Sequence, residues 1–259
     1  MRHPPVSVPM VAVAHGSRDP RAAATVTALL DAVRARRPDV PVHASFLDHA
    51  TPAPAAVLDG LAGAARRDAH AEAVVLPLLL TAAYHSKTDI PGVLARVGRR
   101  HPRFGVRTAG TLGPHPLLTA ALERRLAEAG VGPGDPDTAV VLVSAGSSDP
   151  SANATIWRLA REWRARGWRG VVPAFASATR PAPAEAVAAL LDAGAPRVAV
   201  ASYFLAPGHF ADKVRRESLA AGAAAVSGVL GDAPEVADLV LHRYEQAAAA
   251  APARHVAAG

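Results

Sequence analysis

The feature that most limits how this chain folds is an internal repeat. Val11-Ala12-Val13-Ala14-His15-Gly16-Ser17-Arg18-Asp19-Pro20 aligns with Val141-Leu142-Val143-Ser144-Ala145-Gly146-Ser147-Ser148-Asp149-Pro150 at an offset of 130 residues. Ser45-Phe46-Leu47-Asp48, followed by Thr51-Pro52-Ala53-Pro54, aligns with Ala174-Phe175-Ala176-Ser177, followed by Arg180-Pro181-Ala182-Pro183, at an offset of 129. Leu79-Leu80 with His85 and Asp89 is matched by Phe204-Leu205 with His209 and Asp212. Three blocks in one order make the chain two related halves. The stretch Gly130-Val131-Gly132-Pro133-Gly134-Asp135-Pro136-Asp137 is dense in the residues that interrupt regular structure, so the boundary is placed there. The expected domains are residues 1–133 and 134–259.

Each half alternates short apolar runs with helical stretches. The runs are Val8–Ala14, Val42–Leu47, Ala73–Leu80 and Phe104–Thr111 in the first half, and Ala139–Val143, Val171–Ala176 and Arg197–Leu205 in the second. They are almost continuously apolar, as strands covered on both faces are. Between them, Pro20–Arg37 and Pro52–Arg67 carry apolar residues at helical spacing with a proline near the start. Strands that alternate with helices pair in parallel through right-handed crossovers. The fold class is α/β, with two similar doubly wound parallel-sheet domains.

Composition removes several function classes. There is no cysteine, which excludes disulfides, thiolate metal sites and cysteine nucleophiles. The formal net charge is +6, and the only lysines are Lys87 and Lys213. A basic balance fits an anionic partner. The arginines are scattered as pairs and triplets, such as Arg66-Arg67 and Arg99-Arg100, and aromatics make up 4% of the chain. Nucleic-acid binding needs a denser basic stripe with stacking aromatics, so no nucleic-acid partner is expected. No span of about 18 uncharged apolar residues occurs, so no membrane partner is expected either. Val6–Ala14 is apolar and ends like a leader cleavage site, but reads as a first strand, which makes the expected compartment the cytoplasm.

In open parallel sheets, ligands bind beyond the carboxyl ends of the strands. His15 follows the first run of the first half, and Asp48 and His49 follow the second. Tyr84, His85, Lys87 and Asp89 follow the third, and His115 follows the fourth. If the strands are neighbours, His15, Asp48 and His85 converge on one rim. Two imidazoles and a carboxylate suit a divalent first-row metal, and a set of three leaves positions open for catalysis or hand-over. A histidine there also accepts protons near neutral pH. Asp89 reads as a first-turn helix carboxylate, His49 as a surface-loop residue, and His43, His70, His101 and His242 as structural or solvated. The first post-strand loop holds one glycine, and no Walker sequence and no Gly-x-Ser-x-Gly elbow occur, so no nucleotide cofactor is expected.

At these residues the chain resembles the sirohydrochlorin chelatase family, the class II chelatases that insert cobalt or ferrous iron into a tetrapyrrole without ATP. His15-Gly16-Ser17-Arg18-Asp19-Pro20 looks like the family's first motif. Phe46-Leu47-Asp48 looks like its second, in which the last position is commonly Glu. Pro77-Leu78-Leu79-Leu80 through Tyr84-His85-Ser86-Lys87-Thr88-Asp89-Ile90-Pro91 looks like its third and most specific one. Leu112-Gly113-Pro114-His115-Pro116 and Gly146-Ser147-Ser148-Asp149-Pro150 are also family-like, and the tandem halves look like the long form.

The resemblance implies that His15 and His85 bind the metal and serve catalysis, assisted by Asp48. The metal, Co²⁺ or Fe²⁺ with Ni²⁺ as a further candidate in vitro, is then a substrate. The second partner is an anionic tetrapyrrole, with Lys87, Arg18, His115, Arg180 and His209 as candidate substrate contacts. The second half has Ala145 at the position of His15 and Ser177 at that of Asp48, and keeps only His209 as a counterpart of His85. One working site is therefore expected, built on the first half and facing a cleft between halves, in a monomer with two pseudo-symmetric parts. Two other readings use the same residues. One is a non-enzymatic metal or tetrapyrrole carrier. The other is a histidine-dependent phosphatase, which Ala14 disfavours because such enzymes usually place Arg before the histidine.

Overall fold

The computed structural model describes residues 7–64, 71–81 and 88–250. The first sheet is built from β1 (Met10–Ala14), β2 (Val42–Phe46), β3 (Glu72–Pro77) and β4 (Gly105–Thr108), joined through α1 (Pro20–Arg36), α2 (Pro54–Ala64) and α3 (Ile90–Arg100). Its strands are parallel in the order β2-β1-β3-β4. After α4 (Pro116–Glu128) the pattern repeats with β5 (Thr138–Ser144), α5 (Pro150–Arg164), β6 (Gly170–Phe175), α6 (Pro183–Asp192), β7 (Arg197–Ser202), α7 (His209–Ala220) and β8 (Ala225–Val226), and ends in α8 (Pro234–Ala249). The second sheet is parallel in the matching order β6-β5-β7-β8. Two α/β domains with parallel sheets are thus present, and the order of neighbours around the central strand is the same in both.

The continuous apolar runs follow from this placement. β1 is buried at every position, because both of its edges are paired and both of its faces are covered. On one face, Val11, Val13, Ala73 and Val75 pack with Leu58 of α2 and with Ile90, Val93, Leu94 and Val97 of α3. The second sheet packs Val141, Val143, Val198 and Val200 with Val187 of α6 and Val214 of α7. Burying each valine, leucine or isoleucine among them contributes roughly 1.5–3 kcal/mol. The leader-like run at Ala12–Ala14 is therefore the end of a central strand. Among the described residues, no helix is long and apolar enough to cross a membrane.

The compact units do not follow the boundary expected between residues 133 and 134. One unit runs through Leu112 and resumes at Ala237; the other is Gly113–Val236. The Gly/Pro-rich stretch at 130–137 thus lies inside the second unit. In the first unit, α8 is held by Arg36 on Asp238 at 3.0 Å, Arg37 on Glu245 at 2.8 Å, and Tyr244 Oη donating to the Val8 carbonyl at 2.7 Å. In the second, α4 is held by Arg124 on Glu235 at 2.6 Å and by Trp163 Nε1 donating to Glu123 at 2.9 Å. Each unit recruits the helix that follows the other unit's last strand. Several element ends also differ from expectation. β3 and β4 are shorter than their apolar runs, and β8 is only a two-residue edge, too short to leave a run of its own. α2 begins at Pro54 because the Pro52 carbonyl is engaged by the Phe46 amide at 3.0 Å and belongs to the loop.

Candidate metal and substrate site

Strand register brings the first two candidate residues together. Ala14, the last residue of β1, pairs with Phe46, the last residue of β2. The chains leave the sheet side by side, and the contact continues one step further. The Leu47 amide donates to the Ala14 carbonyl at 3.0 Å, and the Asp48 amide donates to the His15 carbonyl at 2.9 Å. This close approach is why a glycine follows His15. Gly16 has φ +91°, and a Cβ there would lie 1.7 Å from the Asp48 carbonyl oxygen. The rest of the motif serves α1. Ser17 Oγ accepts from the Asp19 amide at 3.1 Å, and the Asp19 carboxylate caps α1 by accepting from the Arg21 amide at 2.9 Å.

His15 and Asp48 are exposed at the mouth of a cleft of about 490 Å³, lined also by Leu47, Thr88, Asp89, Gly92, Val93 and Arg96. His49, expected to be a bystander, contacts Asp48 twice. Its amide donates to Asp48 Oδ1 at 2.8 Å, and its Nε2 lies 3.1 Å from Asp48 Oδ2. Asp48 nonetheless keeps 61% of its side-chain surface in solvent, open to an incoming ion. Hydrogen bonding to Arg21 holds the Asp19 carboxyl below its ordinary range, so the cap of α1 is ionised across the working pH.

The remaining candidates fall in several places. His85 and Lys87 lie outside the described residues. Thr88 and Asp89, which follow them, line the cleft. Among the described residues no group of three His, Asp or Glu side chains forms a metal cluster. Arg18 is exposed and is not a lining residue. His115 caps α4, with Nδ1 accepting from the Leu117 amide at 3.2 Å. Arg180 is ion-paired with Glu185, whose carboxylate also accepts from the Ala182 amide at 2.8 Å. His209 is the exposed first residue of α7, edge-on to Phe210 at 5.7 Å. Arg96 and Gly92, in contrast, line the cleft and were not singled out from the sequence. Their signal was the spacing Asp89, Gly92, Arg96 along one face of α3.

The second unit repeats the loop geometry without the chemistry. The Ser177 amide donates to the Ala145 carbonyl at 3.0 Å, Gly146 has φ +82°, and Ala178 at φ +63° matches His49 at φ +57°. The Ser177 hydroxyl, however, is turned onto the Ala145 carbonyl at 2.9 Å. Asn153 then grips the loop, accepting from the Ser147 amide at 3.0 Å and donating to the Ser147 carbonyl at 2.7 Å. The corresponding residue of the first half is Ala23. Backbone and glycine are kept, while the imidazole and the carboxylate are lost.

The exposed imidazole and carboxylate lie over a cleft at the carboxyl ends of a parallel sheet, the place where open α/β proteins bind their ligands. The chain belongs to the CbiX family, which matches it twice, over residues 9–129 and 139–247. It is 30% identical over 204 residues to the sirohydrochlorin cobaltochelatase of Priestia megaterium, covering 76% of this chain and 63% of that protein's length. It is 29% identical over 243 residues to the sirohydrochlorin ferrochelatase of Bacillus subtilis, covering 92% of this chain and 90% of that one. The solved structure of SirB from Bacillus subtilis with Fe³⁺ superposes with a TM-score of 0.80 at 27% identity, over 94% of this chain and 96% of that chain.

Proposed function

We propose that the protein is a sirohydrochlorin chelatase, which inserts Co²⁺ or Fe²⁺ into sirohydrochlorin or a closely related anionic tetrapyrrole without ATP, on the way to a cobalamin or a sirohaem. Membership of the CbiX family supports the class. The observation that carries the site is the backbone tie that sets His15 and Asp48 side by side at the cleft. Relatives named for cobalt and for iron are equally similar, at 30% and 29% identity, which fits a nitrogen and oxygen ligand set that accepts either ion.

In this reading the metal ion is a substrate held by His15 and His85, with the Asp48 carboxylate assisting. The dication replaces two pyrrole N–H protons of the macrocycle, so two protons must leave for each metal inserted. An imidazole released from the metal accepts one of them, and the other passes to solvent. The carboxylates on the rim of the substrate call for cations. Lys87, Arg18 and His115 are the proposed partners from the first half, and Arg180 and His209 from the second. The first unit carries the working site and the second is its degenerate repeat. The enzyme acts in the cytoplasm as a monomer, for which light scattering at the mass of one chain is the check.

The experiment is anaerobic turnover of sirohydrochlorin with Co²⁺ and with Fe²⁺, followed by the absorbance of the metallated product. The wild type turns over, and the His15→Ala/His85→Ala double variant does not. Wild-type rates in that variant end the assignment of these residues. Tight metal binding by the wild type with no insertion into the macrocycle makes the protein a carrier instead.

A further inference from the structure

We infer that Arg96 is a substrate-positioning residue that binds a peripheral carboxylate of the anionic macrocycle at the cleft. The inference deepens the proposed function and rests on it. Arg96 lies one helical turn beyond Gly92 on α3, and both line the cleft with His15 and Asp48. Side chains on a helix lean toward its N-terminus, so Arg96 reaches back over the turn before it. Its Nη1 lies 3.8 Å from where a Gly92 Cβ would stand, which places the guanidinium over the bare backbone at Gly92. A larger side chain at 92 would occupy that track.

The surrounding charges give this position its meaning. Among the described residues that line the cleft, Asp48 and Asp89 are the carboxylates and Arg96 is the one arginine. Asp48 is engaged by His49, and no described carboxylate forms an ion pair with Arg96. Six of the ten other described arginines of the unit are already paired with carboxylates, among them Arg36 and Arg37 on α8, Arg100 on Asp59 and Arg107 on Glu72. Arg96 therefore offers a fork of donors on a wall of the cleft, and a forked guanidinium matches a carboxylate in two parallel hydrogen bonds. A dianionic or polyanionic ring that offers its inner nitrogens to a metal on the His15 side then meets a cation on the α3 side.

The test is steady-state kinetics with sirohydrochlorin at saturating Co²⁺, together with titration of Co²⁺ alone. Losing a charge-assisted bond predicts an apparent KM raised roughly ten-fold or more in Arg96→Ala, with kcat within about two-fold. Arg96→Lys gives a smaller rise and Arg96→Glu a larger one, because the charge is kept or reversed. The affinity for Co²⁺ alone and the melting midpoint stay at wild-type values in all three. Arg99→Ala, on the same exposed helix but outside the cleft, leaves KM unchanged. A KM for Arg96→Ala and Arg96→Glu within about two-fold of a wild type that turns over overturns the role of Arg96 and leaves the chelatase reading standing. A wild type with no turnover at all overturns both.

Discussion

The amide of Asp48 donates to the carbonyl oxygen of His15 at 2.9 Å, so the two site residues are tied through their backbones rather than through their side chains. Both residues are exposed at the cleft. The tie depends on Gly16, whose missing Cβ is what lets the two post-strand loops meet.

Gly16→Ala therefore costs both fold and function. The residue has φ +91°, and the new methyl would overlap the Asp48 carbonyl. The expected destabilisation is at least about 1–3 kcal/mol in urea unfolding, with insertion activity reduced by more than ten-fold at a temperature where the variant is folded. Gly146→Ala meets Ser177 in the same way, with φ +82° and a 2.1 Å approach, and destabilises similarly. Its activity per folded molecule stays near wild type, since its loop carries Ala145 and Ser177. Equal activity losses in the two variants would place chemistry in the second loop and reject the single site.

His15→Ala lowers turnover by more than about 100-fold, beyond what the loss of a hydrogen bond to a metal ligand costs. Asp48→Asn weakens Co²⁺ binding measured by calorimetry about ten-fold, while Asp48→Glu retains it, since the carboxylate is exposed and a longer arm reaches the same ion. Unchanged Co²⁺ affinity in Asp48→Asn removes this carboxylate from the ligand set.

The Asp19 and Asp149 side chains cap α1 and α5 at 2.9 Å each. Truncating either to Ala costs about 1 kcal/mol of stability and lowers the melting midpoint by about 2–4 °C, with turnover at 25 °C preserved. A large activity loss without destabilisation would show that Asp19 takes part in the chemistry.

His43 on β2 has its pKa lowered, first by burial and then by the charge of Arg34. A histidine that binds its proton less readily when folded makes the unfolded chain the better proton acceptor. This contribution is present in full above the unfolded pKa of about 6.5, and is lost progressively as pH falls through it toward the lower folded value. Unfolding free energies measured at pH 8 and pH 5.5 differ less in His43→Gln than in the wild type. An equal difference assigns the acid sensitivity to other groups.

Much of the fold was readable from local pattern. The repeat required two like sheets, and continuous apolar runs such as Val11–Ala14 and Val140–Val143 required strands covered on both faces. Ser-x-Asp-Pro after β1 and after β5 marked helix starts, because a cap and a proline act within three residues of chain. The adjacency of His15 and Asp48 needed one further step, that the first two strands pair, which parallel βαβ geometry makes the default. β8 was hidden because a two-residue edge has no period.

Other features depend on surfaces that come from distant parts of the chain. The sequence cannot show that α4 joins the second unit and α8 the first. A helix goes to whichever unit buries its apolar stripe and pairs its charges, and Arg36–Asp238 and Arg37–Glu245 span about 200 residues of chain. Arg96 looked like one more surface arginine on a helix, and only the packing of α3 beside the end of β1 sets it in the cleft with His15. Sequence alone determined the alternation of strands and helices, the ends of β1 and β2 and the starts of α1 and α5, because those follow from periodicity and capping within a few residues. Tertiary structure decided which helix completes which sheet and which of many arginines faces the site, because these depend on burial and charge pairing between segments far apart in the chain.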